Sequence, residues 1–398
     1  MDVQETLKVV PLQIKPEGRL LKTGSYYLVF IIIGMCVAIL GPTLPDLAKN
    51  THTRISHLSF LFTARSLGYL VGAYAGGRIY DEIKGHPLIS LTLILTALLL
   101  ALIPITELLG VLIILILLLG VAESVIDVGG NTLLVWIHRE KVGTYMNGLH
   151  LFFGVGGFIA PVILAQVILV TNDISWAYWI LALSILPVAI LMFFIPSPQI
   201  RQTRIGEEKV ENNKLLIAGV ICFFFLWVGA EGGFGGWIYT YALKSGLTDK
   251  AGAAYMTSAF WGAFTIGRLL SVVIAIKLKP VHLLFGSLVG TLASLTIILL
   301  EPSSLNALLF GTIGVGIFMA SVFPTTLSFS ERRMVLSGRV TSWFFIAAGV
   351  GGMTLPWFMG QFIESSLFLV LIIPIATITA AILVLLWICC WLRPKIIG

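Results

Sequence analysis

The sequence predicts an all-α polytopic membrane protein: twelve transmembrane helices in two six-helix bundles, related by a parallel pseudo-two-fold repeat. Three observations carry this reading. Of 398 residues, 58% are hydrophobic and only 11% are charged, against about 25% charged in a soluble domain; mean hydropathy is +1.01. The apolar residues gather into twelve runs, each long enough to cross a hydrocarbon core of about 30 Å. A shift of 195 residues superimposes one half of the chain on the other. Such a composition excludes a soluble enzyme, a disordered chain and a single-span receptor. The runs are continuous rather than alternating, which excludes a transmembrane β-barrel.

In order, the spans cover 25–47, 56–79, 87–106, 110–137, 144–170, 175–195, 214–242, 251–276, 281–300, 306–329, 339–362 and 366–392. They imply an N-terminal tail (1–24), an N-terminal bundle (25–195), a linker (196–213), a C-terminal bundle (214–392) and a short tail (393–398). The linker is the longest gap, Pro-rich at first and then charged. Residues 1–24 are polar and mixed in charge, unlike a cleavable secretory leader.

Basic residues set the expected orientation. With both termini in the cytoplasm, nineteen lysines and arginines fall on that side, among them Arg78, Lys84, Arg139, Lys141, Arg201, Arg204, Arg332 and Arg333. Only Lys49, Arg54, Lys244 and Lys250 fall on the other. That bias follows the positive-inside rule, and it accounts for the net charge of +6 without a nucleic-acid partner. The expectation is a multi-pass protein of the plasma or inner membrane, acting as a monomer in the lipid bilayer.

The repeat is read from glycines. Gly34 matches Gly229, Gly41 matches Gly236 and Gly72 matches Gly267. Gly154-Val155-Gly156-Gly157 with Pro161 matches Gly349-Val350-Gly351-Gly352 with Pro356. Six spans per half is an even number, so both halves enter the membrane from the same side and the repeat is parallel. This arrangement resembles the major facilitator fold, in which substrate binds between two bundles near the midplane. Gly77-Arg78-Ile79-Tyr80-Asp81, followed by Lys84-Gly85-His86, resembles the facilitator loop signature between spans 2 and 3, with Glu82 in place of the usual basic residue. The resemblance implies that Asp81 is a gate holding the bundles closed on the cytoplasmic side.

A narrower resemblance begins at Gly34-Met35-Cys36-Val37-Ala38-Ile39-Leu40-Gly41-Pro42-Thr43-Leu44-Pro45-Asp46-Leu47, which is similar to the first span of the sodium-dependent glucose transporter group. That group lies in the fucose–glucose–galactose symporter branch. Further similarity lies in Ile126-Asp127-Val128-Gly129-Gly130-Asn131, in Leu149-His150, and in Ala230-Glu231 with Gly235-Gly236-Trp237 and Thr240-Tyr241-Ala242. It continues in Ser258-Ala259-Phe260-Trp261-Gly262 and Gly267-Arg268-Leu269-Leu270-Ser271. The resemblance implies a cation-coupled symporter of a monosaccharide, a hexose such as glucose, working by alternating access. The proton-coupled fucose members carry an acid where Gly41 stands, which leaves Na⁺ or H⁺ open as the coupling ion. Their span 4 acid precedes an Asn by four residues, and Asp127 and Asn131 keep that spacing.

Charges inside a bilayer are costly and mark functional positions. Glu123, Asp127 and Asn131 recur every fourth residue and form one stripe along span 4. Two carboxylates one turn apart repel, so a proton or Na⁺ at Asp127, with Glu123 assisting, meets the need of ion coupling; the alternative is a static pair with Arg65. Arg65 in span 2 has three readings: a structural pair with Glu123 or Asp127, a mobile counter-ion, or an anchor for an anionic substrate. Arg268 is expected to be structural or gating. Gly229-Ala230-Glu231-Gly232-Gly233-Phe234-Gly235-Gly236-Trp237 holds five glycines in eight residues, which predicts an unwound or kinked helix around Glu231, against close helix packing as the alternative.

A sugar requires paired donors and acceptors for its hydroxyls and flat surface for its C–H faces. Asn131, Asn147, His150 and Glu231 are candidates for the first; Trp237, Tyr241, Phe260 and Trp261 for the second. His150 has a second reading as a proton relay. Cys36, Cys222, Cys389 and Cys390 lie in apolar runs, so no disulfide framework is expected; Cys389-Cys390 is either a palmitoylation site or a pair of lipid-facing thiols. No nucleotide-binding loop and no Cys/His metal cluster occurs in the sequence, so no cofactor or metal is expected beyond the coupling ion, and no enzyme activity. Two other functions stay open: a carrier of an organic anion, with Arg65 as anchor, and a membrane sugar sensor.

Overall fold

Apolar runs in lipid must satisfy their backbone N–H and C=O groups internally, and the chain is helical throughout. The computed structural model describes residues 16–198, 213–336 and 338–391. The first half comprises α1 (Pro16–Asn50), α2 (Phe60–Glu82), α3 (Gly85–Leu102), α4 (Leu109–His138), α5 (Val142–Thr171) and α6 (Ser175–Phe194). The second comprises α7 (Lys214–Lys244), α8 (Lys250–Ala275), α9 (Pro280–Leu300), α10 (Leu305–Glu331), α11 (Gly338–Gly360) and α12 (Leu367–Trp391). No strand occurs among the described residues.

Among the described residues, eleven helices are long and apolar enough to cross a membrane on those grounds alone. The exception, α2, has 23 residues but carries Arg65, Arg78, Asp81 and Glu82. Helix α1 starts at Pro16 rather than at residue 25, where its apolar run begins; Pro is at home in a first helical turn, and the polar stretch simply extends the membrane helix. Helix α10 breaks at Ala320–Ser321, which hydropathy did not signal. The expected linker and both tails lie largely outside the described residues.

Packing follows the repeat. In the first half α1 packs on α5, α2 on α4, and α3 on α4 and α6; in the second α7 packs on α11, α8 on α10, and α9 on α10 and α12. The motif glycines make these approaches possible. A Cβ on Gly156 would strike the Ile31 carbonyl of α1, and one on Gly351 would strike the Phe225 carbonyl of α7. Small residues let membrane helices close to backbone contact. The halves meet through α1–α7, α2–α11 and α5–α8.

The glycine-rich run of α7 corrects one expectation. The helix is unbroken from Lys214 to Lys244. Its glycines are spaces for neighbours: Cβ atoms on Gly229, Gly233, Gly235 and Gly236 would press on Leu355, Met359, Phe260 and Phe62. Packing demand, not backbone irregularity, explains them.

For orientation, the end where α1 starts and α12 stops is called the base, and the opposite end the crown.

Candidate functional site: an acid ladder between two parallel helices

Helices α2 and α4 run parallel, both from crown to base, and their approach is set by glycine. Cβ atoms on Gly68 and Gly120 would strike the Leu117 and Arg65 carbonyls. At that separation side chains on facing stripes meet rung by rung. Arg65 donates to Glu123 Oε2 from Nε at 2.8 Å and from Nη2 at 2.7 Å. One turn toward the base, the Tyr69 hydroxyl donates to Asp127 Oδ2. Both rungs join residues 58 apart, the signature of two parallel helices in register.

The two acids are not equivalent. Glu123 is buried at 1% exposure, takes the only arginine of the stripe, and leaves Oε1 without a hydrogen-bond partner. Asp127 is half-buried and is met only by neutral donors, Tyr69 and the Asn131 amide, which reaches Asp127 Oδ1 at 2.9 Å. That amide also bonds the Asp127 carbonyl at 2.9 Å. A carboxylate held by neutral groups in a low dielectric keeps an uncompensated charge and is suited to take a proton or a small cation.

The second half contributes a looser set. Glu231 on α7 and Arg268 on α8 are both half-buried, and Arg268 is close enough to act on Glu231 and on His150 of α5. The Arg268 guanidinium lies over the Phe264 ring at 4.9 Å, and its Nε has no partner. His150 meets Phe30 edge-on at 5.9 Å. Asn147 is exposed toward the base.

The aromatic candidates fall at two levels. Phe260 and Trp261 pack edge-on or tilted against Phe153, Phe234 and Phe264 in the middle of the molecule. Trp237 lies nearer the crown, 1% exposed; its indole N–H donates to the Pro356 carbonyl at 2.7 Å. Tyr241 is buried nearby. Both are buried.

Several contacts join the two halves. Lys250 pairs with Asp46 at 2.7 Å. Glu364 accepts from Ile55 N at 3.0 Å and from Ser56 Oγ at 3.3 Å, and Gln361 donates to Ser59 Oγ at 2.9 Å. Thr63 donates to the Met353 carbonyl at 3.2 Å and Ser258 to that of Phe158 at 3.1 Å. Among the described residues, the bonds joining the halves all lie between the crown and the middle. Toward the base Asp81, Asn147, Arg339 and Trp343 are exposed, and Asp81 has no partner among the described residues. The halves are fastened at the crown.

Residues 26–356 match the family model for the Major Facilitator Superfamily. The chain belongs to the major facilitator superfamily. A facilitator is a multi-pass membrane transporter and not an enzyme. It is 30% identical to mouse sodium-dependent glucose transporter 1A over 84% of this chain and 88% of the relative. It is 26% identical to major facilitator superfamily domain-containing protein 4A of Xenopus tropicalis, over 86% of each chain. Among solved structures it is similar to the nucleoside transporter NupG, with TM-score 0.75 and 11% identity, over 94% of this chain and 100% of that one. A bacterial homologue of the human lysosomal transporter Spinster, in an inward-facing and occupied conformation, gives TM-score 0.69 at 13% identity, over 93% and 95%.

Sequence reasoning missed Tyr69. The signal was there: it stands four residues after Arg65, as Asp127 does after Glu123, but only the parallel register of α2 and α4 makes those spacings coincide.

Proposed function

We propose that this facilitator is a symporter that moves a monosaccharide of the hexose class with Na⁺ or H⁺ by alternating access. The observation that carries the reading is Asp127: half-buried within a membrane helix, and held by Tyr69 and Asn131 with no basic side chain on it. A cation there neutralises the carboxylate, and Asn131 links the ion to the solute. Asn147, His150 and Glu231 supply polar contacts to sugar hydroxyls, and Phe260 and Trp261 supply flat surface. Trp237 and Tyr241 join the site only when the crown opens. Asp81 and Arg268 act as gating residues at the base. The names of the sodium-dependent relatives favour Na⁺ and a hexose. Transport of an organic anion anchored on Arg65 is less favoured, because Glu123 already occupies that guanidinium.

The test is uptake by purified protein in liposomes, across a panel of labelled sugars, with Na⁺ and pH gradients imposed separately. Hexose accumulation driven by one gradient, and competed by uncharged sugars but not by carboxylates, is the expected result. Accumulation of carboxylates alone, or of nothing under either gradient, overturns it.

A further inference from the structure

Helices α1 and α7 end at the crown on Lys49-Asn50 and Lys244, and Lys49 and Lys244 are separated by 195 residues, the offset of the repeat. The pseudo-two-fold therefore brings two copies of one lysine to its axis from opposite halves. Both line a crown pocket of about 510 Å³, together with His52, Thr240, Lys250 and Glu364. That volume suits a small ligand.

The charges around this pocket do not balance. Lys250 holds Asp46 Oδ1 at 2.7 Å. Lys49 reaches only that same oxygen, at 3.4 Å. Lys244 has no hydrogen-bond or ion-pair partner among the described residues. The Glu364 carboxylate accepts from the Ile55 N–H and the Ser56 hydroxyl and keeps its charge, but makes no ion pair with a lysine among the described residues. Three lysines thus face two carboxylates, with His52 beside them. A neutral donor is also waiting. Thr240 is fully buried (0% exposed), lines the pocket, and its Oγ1 has no partner.

Lys49 and Lys244 are exposed at the mouth, so water softens their repulsion, but both ammonium groups stay free to meet an anion. A ligand that meets both must offer negative oxygens in more than one direction. A single carboxylate meets one ammonium; a tetrahedral dianion reaches both and still accepts from a hydroxyl. We propose that the crown pocket binds a small multivalent oxyanion of the phosphate type, held between Lys49 and Lys244 with Thr240 as neutral donor.

The walls of this site come from both halves, so it is whole only while the crown is shut. Binding then stabilises the crown-closed state and opposes its opening, by the ligand's differential affinity for the two states. The anion acts as a brake on the transport cycle and takes no part in the chemistry at Asp127.

Thermal unfolding of the purified full-length protein in non-ionic detergent tests this, with inorganic phosphate titrated at ionic strength held constant with chloride. The readout needs no transport, so it stands or falls apart from the symport reading. A saturable rise in Tm is expected for the unaltered protein. Lys49→Gln/Lys244→Gln should weaken the apparent affinity at least tenfold, in keeping with the loss of two charge-assisted contacts, while Lys84→Gln at the base leaves it unchanged. Thr240→Val keeps both charges and should weaken binding several-fold; it gives an independent reading if the double variant does not fold. The proposal is overturned by no saturable rise, by a rise undiminished in the lysine and threonine variants, or by equal loss in Lys84→Gln. A rise that appears only in nanodiscs containing phosphatidic acid, and not with free phosphate, also overturns it and assigns the pocket to a lipid headgroup.

Discussion

Gly41 of α1 lies against the backbone carbonyl of Gly236 of α7, which is its own counterpart one repeat later. A contact between equivalent residues marks the pseudo-two-fold axis, and it sits on the crown side, where the halves are joined. A Cβ at Gly41 would be driven into that carbonyl, and neither backbone can yield without moving a whole helix. Gly41→Ala should therefore destabilise the crown-closed state by about 1–3 kcal/mol, the usual cost of overpacking. In a background with Cys222 and Cys390 replaced by Ser, a cysteine at Thr240 should react with a membrane-impermeant maleimide roughly five- to a hundredfold faster when Gly41→Ala is present. Unchanged labelling would show that the glycine contact does not set closure.

The Asp46–Lys250 pair is a second, softer fastening. Both side chains keep partial contact with water, at 13% and 25% exposure, so the pair contributes about 1 kcal/mol or less. Lys250→Gln should raise the same labelling rate by a few-fold only, and high salt should mimic it. An effect as large as that of Gly41→Ala would contradict this ranking.

Arg65 and Glu123 form a buried pair. Removing one partner strands the other, and such losses cost about 3–5 kcal/mol. Arg65→Ala is expected to lower thermal stability sharply, whereas Arg65→Met/Glu123→Leu should recover much of it. A double variant as unstable as the single one would mean that the pair carries more than mutual neutralisation.

Asp127→Asn keeps the shape of the Tyr69 and Asn131 contacts but removes the charge. Concentrative uptake should fall to the level of protein-free liposomes, while exchange of solute across the membrane persists. Tyr69→Phe keeps the charge and removes one donor, and should lower uptake by about tenfold, as for a lost hydrogen bond to a charged group. Full accumulation by Asp127→Asn would remove the ion-site assignment.

Both the membrane class and the parallel halves were legible in the chain, because hydropathy is a property of local runs and the repeat needs only a comparison of the chain with itself. Asp127, Glu123 and Arg65 were legible as a set for the same reason: charges in apolar runs stand out one by one. Which acid takes the arginine was not legible, nor was Tyr69, since both depend on the lateral register of α2 against α4. The α7 glycines show the limit most plainly. Five of them in eight residues are compatible with a broken helix or with crowded neighbours, and only the positions of Leu355, Met359, Phe260 and Phe62 decide for crowding. The burial of Trp237 at the crown likewise comes from closure between halves. Sequence alone determined what must lie in lipid and where the repeat falls; tertiary structure decided which faces meet, because helix-to-helix contact is set by side chains far apart in the chain whose fit has no local signature.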